Sequence, residues 1–491
     1  MKQRSVLLTH SYLLRLDPKQ EAWHKPYPPL MSIQAAAMVR DAGYDVAFFD
    51  SMFADGPGDI LPVLDAQKPD ILVIFDDGFN YLTKMCLTNM REAAWHIAKA
   101  AQDRGCKVIM CGSDATDRWQ DYLQNGIDYV LLGEGEATLI DLLNSLEAGD
   151  DLQSVVGLAW QKNGHFQRNA NRPVMQDLDA LPLPAWDLID FKPYQQSWTK
   201  WNQYSVNIAT TRGCPYKCNW CAKPIYGNSY KMRSPAHVIR EIELLQANTS
   251  FDHIWFCDDI FGLKRSWVIE FAELVREKGL QLRYKIQSRA DLLVKDQYID
   301  ALKASGCEEV WMGVESGAQE ILDAMDKGIT IEQIRTATHK LKACGIKPCF
   351  FIQFGYLNET AQHIRKTIAL IKELLPHDIG ISVSYPLPGT KFFEMVKNDL
   401  PGKTNWTDSE DLDLMFKNSY SSAFYKQLHH FVHQEFRKKH AQEQLKGLLR
   451  YPTHVKWQNL KKTLSILYYT PSSYLAKRQL KVINYEAASS L

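Results

Sequence analysis

The 491-residue chain has no net charge, with Lys plus Arg and Asp plus Glu both at 57. That balance removes any global pull toward nucleic acid or anionic lipid, and a small or neutral partner is the simpler expectation. The sequence also lacks an uninterrupted 18-residue apolar run, so no transmembrane segment is expected. Met1 to Leu13 carries basic residues, but its apolar stretch is too short and too interrupted for a secretory signal. A cytoplasmic protein follows, with at most peripheral contact with membranes. Cysteine is thinly spread: ten in so long a chain, without an export signal, do not make a disulfide framework. Cys86, Cys106, Cys111, Cys257, Cys307, Cys344 and Cys349 stand singly or in apolar runs, where cysteine is ordinarily a small buried residue.

What is present is strand–helix alternation, twice. The length calls for two or three domains. In residues 1–150, β-branched runs at Ser5–Thr9, Asp45–Phe49, Ile71–Phe75, Lys107–Met110 and Tyr129–Leu132 alternate with amphipathic stretches. Five such units predict an α/β, flavodoxin-like Rossmann domain, whose ligand sits at the carboxyl ends of its parallel strands. Residues 151–195 read as a hairpin around Asn163-Gly164 followed by a connection stiffened by prolines. Residues 196–400 repeat the alternation six times, with strands near Val206–Thr211, His253–Cys257, Arg283–Ser288, Glu309–Gly313, Pro348–Gly355 and Ile379–Tyr385. They predict a partial (β/α)6 barrel with its chemistry at the strand carboxyl ends. Residues 401–491 read as a basic, aromatic helical region. Its His429, His430 and His433 suit helix packing better than a metal site, since no paired ligands of clear geometry accompany them.

Cys214, Cys218 and Cys221 place three thiols in eight residues, directly after a predicted strand, within Thr211-Arg-Gly-Cys-Pro-Tyr-Lys-Cys-Asn-Trp-Cys-Ala222. Three thiolates hold three irons of a cubane and leave the fourth open, whereas electron-carrier clusters use four protein ligands. An open iron can chelate S-adenosylmethionine (SAM) and pass an electron to its sulfonium. The competing reading is a zinc knuckle completed by Cys257 or His237, for which this spacing on a first barrel loop is unusual.

The cysteine segment resembles the signature of the radical SAM superfamily without departure. The resemblance implies a [4Fe-4S] cluster on Cys214, Cys218 and Cys221. It implies SAM contacts from Tyr216, from Asp258 and Asp259 in Phe256-Cys-Asp-Asp-Ile-Phe261, from Arg289, and from Glu315 and Ser316 in Gly313-Val-Glu-Ser-Gly317. Each of these has a plain structural alternative, such as a helix cap at the Asp pair or an Arg289–Asp291 pair.

The front part is similar to the cobalamin-binding domain that precedes the barrel in one radical SAM subgroup, which includes carbon methyltransferases and the anaerobic magnesium-protoporphyrin ester cyclase. On that likeness Pro29, Leu30, Asp50, Gly112, Ser113, Gly133, Glu134, Gly135 and Glu136 are corrin-contacting candidates. Gly112-Ser-Asp114 departs from the Pro and His often found there, which leaves Asp114 open as a contact, and no Asp-x-His-x-x-Gly motif supplies a cobalt ligand. A front domain that has lost cobalamin is the alternative.

The joint resemblance implies methylation of an unactivated carbon on a small molecule or natural product. One SAM would charge cobalamin to methylcobalamin, and a second would yield the 5′-deoxyadenosyl radical that abstracts hydrogen. It also implies an external one-electron reductant such as flavodoxin or ferredoxin. An oxidative cyclase or other non-methylating radical SAM enzyme is the alternative, and a non-enzymatic cobalamin sensor or carrier the outsider. A methylthiotransferase is disfavoured, because Cys86, Cys106 and Cys111 do not form a second three-cysteine motif. Gln287, Gln353 and Tyr385, near predicted strand ends, could face substrate or SAM.

Overall fold

Strands β1 (Ser5–Thr9), β3 (Ile71–Phe75), β4 (Lys107–Cys111) and β5 (Tyr129–Leu131) form where apolar runs are covered on both faces, and β2 (Asp45–Phe48) is the half-buried edge strand beside β1. They pair in parallel in the order β2-β1-β3-β4-β5, the doubly wound arrangement expected from the five-unit alternation. The computed structural model describes residues 4–79, 87–223, 225–400, 402, 405–408, 411–450 and 463–489, with backbone only for 484–489. Cys86 lies outside the described residues.

The hairpin β6 (Leu158–Lys162) and β7 (His165–Arg168) continues this first sheet: β6 runs antiparallel to β5, making seven strands. Asn163 and Gly164 have φ of 53° and 78°, the left-handed pair that a tight two-residue hairpin turn needs.

The second sheet contains β8 (Ser205–Ile208), β11 (His253–Phe256), β12 (Tyr284–Ser288), β13 (Cys307–Glu315), β14 (Lys347–Phe354) and β15 (Asp378–Val383), all parallel and in sequence order. It is a six-stranded partial barrel. The predicted first barrel strand, Val206–Thr211, divides in two. After Ile208 the chain leaves the barrel, and β9 (Thr211–Arg212) instead pairs antiparallel with β10 (Lys231–Met232). This short ladder clamps the base of the cysteine loop.

Alternation along the strands explains the two barrel faces. Ile254, Phe256, Ile286, Val310, Met312, Phe350 and Ile352 are buried in the main core, with Phe256 packed edge-on to Phe271 of the helix Arg265–Glu277. Their neighbours Lys285, Gln287, Glu309, Trp311 and Phe351 are only half-buried. The helices Ser422–Arg450 and Ile466–Ser489 follow an irregular stretch and pack on each other, with the first also against β15. His429 and His433 meet ring to ring at 4.6 Å, and burial lowers their pKa values to about 4 and about 3, so they are neutral packing groups. Among the described residues no helix is long and apolar enough to cross a membrane.

Candidate active site

The cysteine loop is fixed from both ends. At its start Gly213 has φ 78°, and an added Cβ would lie 2.4 Å from the Ser229 carbonyl oxygen, so only glycine fits. In its middle Asn219 does four things. Its backbone N–H donates to Met325 O (3.0 Å), its Nδ2 to Ala324 O (2.7 Å), its Oδ1 accepts from the Tyr356 hydroxyl (2.9 Å), and its carbonyl accepts from Phe392 N (3.0 Å). Toward its end Lys223 donates to Tyr216 O and to Asn228 Oδ1. Cys214 is buried, Cys218 and Cys221 are half-buried, and none is in a disulfide. Burial pushes the Cys214 thiol up, against the Tyr216 N–H and Lys223, which favour its thiolate.

This donor set fits a cubane held at three corners. A single ion needs its donors to converge within bond length, and among the described residues no group of three His, Cys, Asp or Glu does so. Of the two candidates for a fourth zinc ligand, Cys257 is engaged and His237 is engaged through one ring nitrogen. The Cys257 thiol contacts Ile208 O at 3.4 Å and is held protonated by burial, and His237 Nδ1 accepts from Arg233 Nε at 2.8 Å.

Around the loop, the sequence candidates separate by what their side chains already do. Asp258 is fully buried and accepts from the N–H and hydroxyl groups of both Thr210 and Thr211, all at 2.7–3.0 Å; burial still raises it to about 6. Its hydrogen bonding is internal and fixes the turn between β8 and β9. Asp259, by contrast, is exposed and lines a cleft. Arg289 is buried, paired with Asp291 (2.9 Å), bonded to Lys327 O (2.9 Å) and stacked over Tyr216 at 3.6 Å. Ser316 meets Thr367 Oγ1 at 3.2 Å and accepts from Ala318 N–H at 3.2 Å.

Glu315 has φ 59°, uncommon for a non-glycine residue, and its carboxylate pairs with Lys327 Nζ at 2.6 Å. Burial works against the Lys327 charge, but Glu315 and Cys218 more than offset it and the pKa is raised. Lys327 also sits 5.9 Å from the Trp220 ring, which links the β13 end to the cysteine loop. An added Cβ on Gly313 would lie 2.6 Å from Lys327 Nζ and 2.7 Å from the Glu315 carboxylate, so a larger residue there would displace this pair. Of the lumen candidates, Gln353 donates to Ser384 Oγ (3.2 Å) while its buried Oε1 has no partner, Tyr385 stacks on Trp406 at 4.2 Å, and Gln287 is half-buried.

On the front domain, the strand ends converge as the alternation predicts. Asp50 accepts from Tyr194 OH (2.7 Å) and from Met52 N–H (3.0 Å), and pairs with His10 Nε2 (2.9 Å). The other His10 nitrogen lies 3.1 Å from Ser51 Oγ, so neither is available to a metal. Pro29 and Leu30 are buried at the start of the helix Leu30–Asp41, and Leu30 faces a second small cleft with Arg212. Gly112 lies against Asp76, and Ser113 and Asp114 line a pocket with Asp76, Asp77 and Gly78. The Asp114 carboxylate is taken by Arg91, in two bonds of 2.7 Å, and by Tyr122 OH. Gly133 has φ 72°, and a Cβ on Gly135 would lie 2.3 Å from Cys111 Sγ. Glu134 and Glu136 both turn to the barrel.

Their partner is Arg212, the residue two before Cys214. Its Nη1 bonds Glu134 and its Nη2 bonds Glu136 at 2.7 Å, with all three side chains no more than 6% exposed. Burial raises the Glu136 carboxyl, Arg212 opposes it, and one Glu136 oxygen has no partner. Beside this triad Phe79 stacks on Tyr226 at 6.3 Å, and an added Cβ on Gly78 would lie 2.9 Å from Ile225. The two domains thus meet over a narrow cleft of about 30 Å³, lined by Gly78 and Phe79 on one side and by Thr211, Gly213, Tyr226, Cys257 and Asp259 on the other. Arg212, Asn219 and Lys327 escape a reading by residue type. Arg212 and Asn219 carry one sequence signal, their place inside the cysteine motif, and Lys327 carries none.

Residues 208–371 match the profile of the Radical SAM superfamily. An uncharacterized methyltransferase of Pyrococcus horikoshii is 28% identical over 416 residues, covering 82% of this chain and 87% of the relative. The anaerobic magnesium-protoporphyrin IX monomethyl ester cyclase of Rubrivivax gelatinosus is 26% identical over 377 residues, covering 75% and 66%. The solved structure of the cobalamin-dependent S-adenosylmethionine radical enzyme OxsB, with aqua-cobalamin and S-adenosylmethionine bound, superposes with a TM-score of 0.74 at 16% identity. It covers 97% of this chain and 72% of that one, so the likeness of fold runs from the front domain through the helical region. Cysteine loop, barrel and profile coincide on the same strands, so residues 208–371 form a radical SAM domain of an enzyme, behind a front domain that shares its fold with the corresponding part of OxsB.

Proposed function

We propose that this chain is a cobalamin-dependent methyltransferase that acts on an unactivated carbon of a small molecule. The observation that carries the reading is the shared cleft: glycine-bearing strand ends of the front domain face the cysteine loop across it. When bound, the cluster supplies one electron to SAM and cobalamin supplies a methyl carrier, and this hard chemistry belongs to the cofactors. The chain's own residues position and enclose them. Cys214, Cys218 and Cys221 hold the cluster. Asp259 is the acceptor offered to the SAM ammonium, in preference to Asp258, whose oxygens are already used. Tyr216 lies flat on Arg289 as a candidate wall for the SAM site.

The corrin is assigned to the edge formed by Asp50, Asp76–Phe79, Gly112–Ser113 and Gly133, where glycine lets a wide, flat ligand approach the backbone. His10 is committed to Asp50 and Ser51, so no lower cobalt ligand is assigned to it. The name of the Pyrococcus relative favours methyl transfer, whereas the likeness to the cyclase keeps an oxidative, non-methylating reaction as the second reading. An external one-electron donor of the flavodoxin or ferredoxin kind is required by either.

Anaerobic turnover with cluster, cobalamin, SAM and a reductant tests the proposal by mass spectrometry on a panel of small molecules. Methylation gives S-adenosylhomocysteine and 5′-deoxyadenosine together in a substrate-dependent way, and both disappear in Cys214→Ala. Deoxyadenosine without homocysteine product would assign the cyclase reading, and undiminished function in Cys214→Ala would contradict both.

A further inference from the structure

The helix Ile466–Ser489 has two apolar faces. One carries Ile466, Tyr469, Ser473, Ala476, Leu480 and Ile483 at alternating steps of three and four, and this face is turned inward: Ser473 and Ala476 are buried, and Leu480 and Ile483 pack on the core. Gln427 of the helix Ser422–Arg450 donates to Ala476 O, and Ser473 bonds Glu435 on that same helix. The opposite face carries Leu467, Tyr474, Leu475 and Val482, which are 73%, 67%, 56% and 51% exposed. Their spacing of 7, 8 and 15 from Leu467 places them on one stripe. Among the described residues, most of the large apolar side chains that stand in solvent lie between Leu449 and Val482.

The charge of this region is as uneven as its polarity. Between Gln444 and Tyr485 the sequence has eight Lys or Arg and no Asp or Glu, in a chain that is neutral overall. Lys477, Arg478 and Lys481 are exposed on the helix itself, Arg478 within the apolar stripe. Aliphatic and tyrosine side chains interleaved with lysine and arginine, and free of acidic residues, match the boundary of an anionic bilayer: tails below, phosphates above.

We propose that this outer face of the carboxy-terminal helix docks the enzyme on an anionic lipid surface, lying in the plane of the interface. The side chains Leu467, Tyr474, Leu475 and Val482 enter the acyl boundary, and Lys477, Arg478 and Lys481 meet lipid phosphates. The inward face keeps its protein contacts, so docking needs no unfolding of the helical pair.

Co-sedimentation of the intact, cofactor-loaded protein tests it, with vesicles of phosphatidylcholine alone and of phosphatidylcholine mixed with phosphatidylglycerol. Binding is expected to the anionic vesicles only and to weaken with salt. Removing two charges, in Arg478→Gln/Lys481→Gln, is expected to lower partitioning by at least about tenfold, since each cation near such a surface contributes about that order. Leu467→Ser/Leu475→Ser is expected to lower it similarly. Both pairs stand in solvent and should leave melting temperature and cluster content unchanged, which separates a docking defect from misfolding. Equal sedimentation with and without anionic vesicles would overturn the proposal. So would a dimer in solution that the same substitutions dissociate while vesicle binding stays absent, which would assign the face to a second copy.

Discussion

Arg212 decides how the front domain addresses the cysteine loop. A guanidinium forked between Glu134 and Glu136 fixes direction as well as distance, which a lysine ammonium does not. Two carboxylates and one cation leave the group short of balance, and one Glu136 oxygen is unpartnered. Removing the cation therefore strands two buried anions. Arg212→Met is expected to cost about 3–5 kcal/mol in stability, and replacing all three residues by apolar side chains of similar volume to recover most of that. Thermal melting of the cluster-free protein, alone and as a cycle of variants, measures it. A single Arg212→Met variant as stable as the parent would show that the triad does not couple the domains.

At the scale of elements, the loop after β14 carries a second buried charge problem. Glu359 accepts from Gly355 N–H at 2.7 Å through one oxygen, while its other oxygen and the nearby Tyr425 hydroxyl lack partners. Burial raises its pKa to about 8. A carboxyl whose folded pKa lies above its unfolded value holds its proton in the native state, so its contribution to stability is present at low pH and lost as pH rises toward 8. The other carboxyls pushed up to about 6, Asp76, Asp77, Asp117 and Asp258, have lost most of their effect by pH 7. The Glu359 contribution, read as the difference between the parent and Glu359→Gln, is expected to fall by about 1.4 kcal/mol per pH unit well below pH 8 and by about half that at pH 8 itself. Glu359→Gln is expected to flatten the slope, and an unchanged slope in pH-dependent melting would place the cause elsewhere.

The elements also show what a sequence conveys. Continuous apolar strands such as Ile71–Phe75 and Ile254–Phe256 announce parallel sheets because burial on both faces leaves nothing to alternate, and Asn163-Gly164 announces its turn by its backbone freedom. The end of β8 was not legible. The division of Val206–Thr211 after Ile208 depends on Asp258, which lies 47 or 48 residues later and gathers the Thr210 and Thr211 groups. In the site, three thiols at fixed spacing were legible because a cluster needs that residue type. The preference for Asp259 over Asp258 proposed above was not, because it turns on which carboxylate the fold has already satisfied. Lys327 meets Glu315 only through the bend at φ 59°.

Across the whole molecule, two domains and a helical pair serve one geometry. The proline-rich connection ties them: Tyr194 reaches Asp50 in the front domain, Trp186 Nε1 donates to Glu241 on a barrel helix, and Trp198 Nε1 donates to Pro26 O. The segment Pro26–Pro29 in turn lies along the barrel, with Tyr27 packed on Trp255 and Asn207 donating to Pro28 O. These contacts fix the strand ends of one sheet opposite the cysteine loop of the other and shape the cleft on which the functional reading rests.

The most direct test of that reading is Mössbauer spectroscopy of protein reconstituted anaerobically with iron and sulfide, before and after addition of SAM. Three protein thiolates leave one iron unlike the others. The expected result is a [4Fe-4S] centre in which SAM shifts the signal of a single iron, with the centre lost in Cys218→Ala. A four-iron centre indifferent to SAM, or protein that binds one zinc and assembles no cluster, would contradict the account.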